Sequence, residues 1–248
     1  MKLFLSILIF FITSKAYSGV QDYEYLPFLD QNVKVGLGMS YSKLESNSDV
    51  GNYYLLSAAN PRFEISYSGP VEKLYRQKFL AGFVQELFRP ENDTFTIKSK
   101  GSRFSSYLAW QPTWVSESKT FTRHFKFSAK NGSVISEIPD VFSVNGDVGD
   151  RYSFDVGVGF TWYGLTVSKF PMSFDAEVLY SQTLLDSSKT SVYNGIAYRM
   201  GIEFEFKKRS LFSGWAMRGF YEYEDVKNSY SKAVDKELGL VFSKAFVF

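Results

Sequence analysis

The only histidine of the chain, His124, alternates with Thr122, Lys126 and Ser128 on the polar side of its segment. An imidazole there can serve as a general base if a nucleophile lies within hydrogen-bond reach, because geometry precedes any catalytic triad. No nucleophile motif adjoins it, and a hydrogen-bonded lining histidine is the plainer reading. A larger set of charges shares the same kind of face: the acids Asp155, Asp175, Glu177, Glu203, Glu205, Glu222 and Glu224, and the cations Arg76, Lys78, Lys126, Arg199 and Arg218. Buried ions need partners, so a mixed set of this kind implies ion pairs. Its functional alternative is a charged constriction that selects small ions or solutes. Glu222, Glu224 and Asp225 are the acidic grouping with the makings of a calcium site, against the simpler reading of a solvated strand end. Lys98, Lys100 and Arg103 form a basic stretch able to touch phosphates.

Other chemistry is excluded more firmly. Cysteine is absent, which removes disulfides, thiolate catalysis and Cys-ligated zinc. There is no phosphate-cradling glycine loop, zinc spacing or nucleophile elbow, so neither a cofactor nor a metal is expected. A net charge of +2 gives no field that would favour nucleic acid.

The elements that carry these charges read as strands. Tyr152, Phe154, Val156, Val158, Phe160 and Trp162 alternate with Ser153, Asp155, Gly157, Gly159 and Thr161, a period of two that no helix face accommodates. The same period recurs at Met172 to Tyr180, Ile196 to Phe206, Leu211 to Tyr223 and Leu238 to Phe248. It is weaker at Val33 to Tyr41, Phe63 to Tyr67, Tyr75 to Phe83, Phe104 to Trp114 and Phe121 to Ala129. Runs of about ten residues, rising about 3.3 Å each and tilted near 40°, span roughly 25 Å, the apolar thickness of an outer-membrane barrel. Short links are expected at Ser68 to Lys73, Trp114 to Thr120, near Tyr163-Gly164 and at Lys207 to Ser210. Long ones are expected at Ser42 to Asn60, Glu86 to Arg103 and Lys130 to Asp150. Trp110, Trp114, Trp162, Phe206 and Phe248 then gather at one interface as an aromatic girdle, consistent with an aromatic content of 19%.

The fold class expected is therefore all-β, a closed antiparallel transmembrane β-barrel of about ten strands, within a range of roughly 8 to 12. Residues 1–18 read as a signal peptide: Lys2, an apolar run from Leu3 to Ile12, and small residues around Ala16-Tyr17-Ser18. Residues 19–248 form the barrel, with 19–32 a periplasmic lead segment. No later run approaches the roughly 20 apolar residues of a membrane-spanning helix.

The last strand, with Leu240, Phe242, Phe246 and a terminal Phe248, resembles the closing strand of bacterial outer-membrane β-barrel proteins. That resemblance implies placement in the outer membrane, contact with its lipid including lipopolysaccharide, and recognition of Phe242, Phe246 and Phe248 by the barrel-assembly machinery. Lys244 departs from the pattern. Close to the interface it can snorkel, as can Arg123 and Lys169. Proteases and phospholipases of this class use histidine with acidic or hydroxyl partners, which gives His124 its enzymatic alternative.

Under the barrel reading, His124, Lys126, Asp155, Asp175, Glu177, Arg199, Glu203, Arg218 and Glu222 line the lumen, with inward Gly36, Gly38, Gly157, Gly159 and Gly239 making room for long neighbours. Eight-stranded barrels are filled by side chains whereas 16 to 18 strands leave a channel, so ten strands favour a narrow or occluded lumen. The functions expected are a structural or surface-interaction barrel or a narrow channel for small solutes. The alternatives are an outer-membrane hydrolase of lipid or peptide, and a soluble exported β-sandwich.

Overall fold

A computed structural model describes residues 31–48, 51–90, 102–135, 148–167, 170–186, 191–206, 214–229 and 231–248. The expected signal peptide, the expected lead segment up to residue 30, Lys98, Lys100, Lys169 and Leu211 lie outside the described residues. Ten strands follow one another: β1 (Asn32–Ser48), β2 (Gly51–Ser68), β3 (Tyr75–Pro90), β4 (Ser102–Val115), β5 (Phe121–Ile135), β6 (Val148–Val167), β7 (Phe170–Asp186), β8 (Ser191–Glu205), β9 (Trp215–Lys227) and β10 (Ser231–Val247). Each pairs antiparallel with its chain neighbours, and β1 closes on β10 from Asn32↔Val247 to Ser48↔Ser231. Closure leaves no sheet edge, and it overturns the β-sandwich alternative. β1 begins and β10 ends at what we term the near end, where Phe248 N–H donates to Gln31 O at 3.1 Å.

The alternation seen in the sequence places one set of side chains outside and the other in the lumen. The outer set is apolar and uncovered: Leu37 and Leu108 are each 66% exposed, Leu238 60% and Val158 52%. A continuous apolar belt of this kind is stable only against lipid. On β1 it runs from Val33 to Tyr41. At its near edge Trp114 packs on Tyr75 and Phe125 (ring centroids 5.5 and 5.7 Å), and Trp110 stacks on Phe127 at 5.4 Å. Lys244 and Arg123 lie at this edge over aromatic rings, Trp215 and Phe121, each at 5.8 Å. The far edge carries tyrosines, among them Tyr41, Tyr152 and the Tyr198–Tyr223 pair.

Beyond the tyrosines the strands continue, and the polarity of their two faces inverts. Lys43 and Glu45 point outward, where Lys236 bonds Glu45 at 2.9 Å, and Asp225 pairs outward with Lys232 at 2.7 Å. Between them Leu44, Val226 and Ala233 turn inward and are buried. This is the apolar-in, polar-out pattern of a water-soluble barrel wall. It corrects the sequence reading of the connections. Strands run 13 to 20 residues, and Ser42 to Asn60 is a β-hairpin whose strands are separated only by residues 49 and 50. β5 and β6 likewise extend into the expected Lys130 to Asp150 loop, and β6 passes Tyr163-Gly164, through a bulge between Trp162 and Leu165, to end at Val167. Asn32, placed in the lead segment, is the first residue of β1.

A candidate functional site: the ion-pair ladder of the lumen

Glu177 on β7 is the hub of the interior. Its Oε1 accepts from Gln111 Nε2 at 3.0 Å and His124 Nε2 at 3.1 Å, and its Oε2 accepts from Lys126 Nζ at 2.7 Å. Arg199 Nη1 stands 3.8 Å from the same Oε2. Arg199 then donates through Nη2 to Asp155 Oδ2 at 2.7 Å, which also accepts from Ser128 at 2.9 Å, and its Nε lies 3.5 Å from Glu222. Glu222 faces Arg62 at 3.7 Å, and Arg62 donates to Glu64 at 2.6 Å and Glu237 at 2.5 Å. From Glu64 the ladder turns to Arg218 at 3.5 Å.

These groups come from β2, β4, β5, β6, β7, β8, β9 and β10, so the ladder ties together eight strands across the lumen. Phe220 sits beneath both guanidiniums, 4.4 Å from Arg62 and 5.5 Å from Arg218, and Tyr107 adds a second ring at 5.7 Å from Arg62. Such stacking suits the weakly hydrated guanidinium better than it would an ammonium.

Local sequence permits the contacts. A Cβ on Gly159 would collide with the His124 ring and Glu177 Cγ, so the absence of a side chain there is what lets imidazole and carboxylate meet. Gly201 gives the Asp175 carboxylate its space in the same way. Gly239 is closed against the Phe220 ring.

Of the residues singled out in the sequence, His124, Lys126, Asp175, Glu177, Arg199, Glu203, Arg218 and Glu222 line a lumen cavity of about 180 Å³. Asp155 is buried in the adjoining wall, held by Ser128 and Arg199. Glu203 belongs to a separate pair, with Lys34 at 2.5 Å. The structure separates the acidic grouping considered for calcium: Glu222 joins the ladder, Glu224 accepts from Ser181 at 2.7 Å inside the barrel, and Asp225 lies outside with Lys232. No group of three potential metal ligands occurs among the described residues. Among the same residues His124 has no hydroxyl partner, only the Glu177 carboxylate, so the nucleophile a hydrolase needs is not placed beside it. Phe242, Phe246 and Phe248 all face outward and are exposed.

Sequence reasoning missed Arg62, Glu64, Glu237, Lys34 and Gln111. The signal was present: Arg62 and Glu64 alternate with Phe63 and Ile65, as Glu237 does with Leu238. A bulge around Ala59, whose φ is 58°, shifts the register just before Arg62 and shortens the readable run.

On the far side of the ladder, inner side chains of β6 to β10 are tightly packed among the described residues. Leu179, Tyr193, Ala197, Val226 and Ala233 all point inward and are at most 2% exposed, with Ser153, Ser181 and Thr183 buried among them.

The sequence matches no family model and no curated protein. Among solved structures, the outer membrane protease OmpT from Escherichia coli aligns with a TM-score of 0.51 at 8% identity, over 91% of this chain and 99% of that one. An outer membrane channel from Pseudomonas putida aligns with a TM-score of 0.48 at 8% identity, over 91% and 98%. What the first likeness shows is the fold, the closed antiparallel barrel of bacterial outer-membrane proteins.

Proposed function

We propose that this chain serves in the bacterial outer membrane as a closed-lumen barrel, a structural or surface-interaction protein whose rigid wall projects beyond the far side of the bilayer. The observation that carries this reading is the filled far half of the lumen, where Leu179, Tyr193, Val226 and Ala233 pack behind the Glu177–Arg199–Glu222–Arg62 ladder. A solute crossing the barrel would have to break buried ion pairs and then displace a packed apolar layer. Packed interiors resist both, because removing one partner of a buried pair alone costs about 3–5 kcal/mol.

The surface role rests on the inverted polarity of the projecting wall. Lys43, Glu45, Asp225, Lys232 and Lys236 present charge to water on a frame stiffened from within. Binding elements mounted on a rigid scaffold are held closer to their productive geometry than those on free loops.

Planar-bilayer recording tests this directly. Folded protein is expected to insert without producing discrete conductance steps at high salt. Steady steps from protein shown to be folded by its heat-dependent gel mobility would establish the narrow-channel alternative instead.

A further inference from the structure

The near half of the lumen cavity holds an ammonium that no carboxylate contacts directly among the described residues. Lys78 on β3 points into the cavity, and among the described residues it makes no hydrogen bond or ion pair. The charges acting on it most strongly are those of Arg76, Lys34 and Arg218, all cations. Three acids line the cavity at this level: Glu203 is held by Lys34 at 2.5 Å, while Asp175 and Glu205 form no hydrogen bond or ion pair among the described residues, and none of the three pairs directly with Lys78. Arg218 itself keeps a buried Nε–H that finds no acceptor among the described residues, and it too lines the cavity.

An ammonium set among three other cations inside a barrel wall is costly unless a counter-charge joins it. Buried donors without partners mark the positions of ordered water or of a bound ion. Asn32, Ser68, Ser243 and Ala245, at the near ends of β1, β2 and β10, are also in the wall of this cavity, so it reaches the near end of the barrel.

We infer that the near-end cavity is a binding site for a small oxyanion, a phosphate or carboxylate group, seated on Lys78 with the Arg218 Nε–H as a second donor and Arg76 and Lys34 in support. Charge-assisted hydrogen bonds from ammonium and guanidinium groups are the strong ones for such oxygens. The site stands apart from the closed-lumen reading, because a titration reads it and conductance does not.

The test uses the full-length mature barrel refolded in a zwitterionic detergent, titrated with sodium phosphate and, separately, sodium acetate, against sodium chloride at matched ionic strength. Phosphate at saturating concentration is expected to raise the thermal midpoint by roughly 4–8 °C, the shift that a binding energy of about 2 kcal/mol gives a chain of this size. Acetate raising it equally would assign the site to small oxyanions of either kind, and acetate without effect would assign it to phosphate. Lys78→Met should weaken the apparent affinity at least tenfold while leaving the barrel folded, since methionine keeps the side chain's length and no direct partner of Lys78 is lost. Lys78→Arg should retain binding, and Lys232→Met, on the outer wall, should not alter it. No shift with either anion, or an equal shift in Lys78→Met, would overturn the inference.

Discussion

Glu177→Ala is expected to destabilise the folded barrel by about 3–5 kcal/mol, the penalty of leaving a buried charge without its partner. The orphaned group is Lys126, whose one ion pair among the described residues is with Glu177 at 2.7 Å and whose side chain is 10% exposed. Arg199 loses a weaker contact and keeps Asp155 and Glu222. Gln111 and His124 lose their acceptor at the same time. Because the penalty resides mainly in one charge, the double variant Glu177→Ala with Lys126→Met should recover most of the loss, and the cycle of the two single variants and the double isolates the pair. Urea unfolding from lipid vesicles measures it. A loss below about 1 kcal/mol for Glu177→Ala is what a solvated pair would give, and would mean that water fills the lumen.

The second large effect concerns the outer face. Val158→Arg is expected to cost about 2–4 kcal/mol, because the side chain lies near the middle of the belt, between Phe125 and Val178 of the neighbouring strands. In a water-soluble barrel the same change at a 52% exposed valine would be close to neutral. Gln182→Arg provides the comparison. Gln182 faces outward on β7 beyond Tyr180 and is exposed, so arginine there meets water and the change should be small. Equal effects at Val158 and Gln182 would place the bilayer elsewhere.

Much of this fold was legible because the membrane imposes one rule on every strand. Between Trp162 and Tyr152, lipid demands an apolar side chain at each second position, and the lumen tolerates Gly157, Asp155 or Ser153 at the others. That rule yields ten strands and assigns Glu177, Arg199 and Glu222 to the interior. It stops at the far edge of the belt. At Lys43-Leu44-Glu45 the outward positions become polar and the inward one apolar, so the alternation changes phase and resembles the end of a strand. For this reason the sequence reads the far ends of several strands, such as those around Lys43 and Lys130, as loop. The ladder was legible as a set of charges and illegible as a set of pairs. Arg62 meets Glu237 across 175 positions of sequence, a contact that exists only after β1 closes on β10.

The filled lumen is tested most directly by thiol reactivity. The chain has no cysteine, so each introduced thiol is the only one present. Ser153→Cys and Ser181→Cys place near-isosteric thiols at fully buried inner positions of β6 and β7, and Lys232→Cys places one on the exposed outer wall. With folded protein in vesicles and a water-soluble maleimide, the Lys232→Cys thiol should react promptly, and the other two should react orders of magnitude more slowly until the barrel is unfolded. If Ser153→Cys and Ser181→Cys react as fast as Lys232→Cys in the folded state, the lumen is an aqueous channel and the closed-barrel account is wrong.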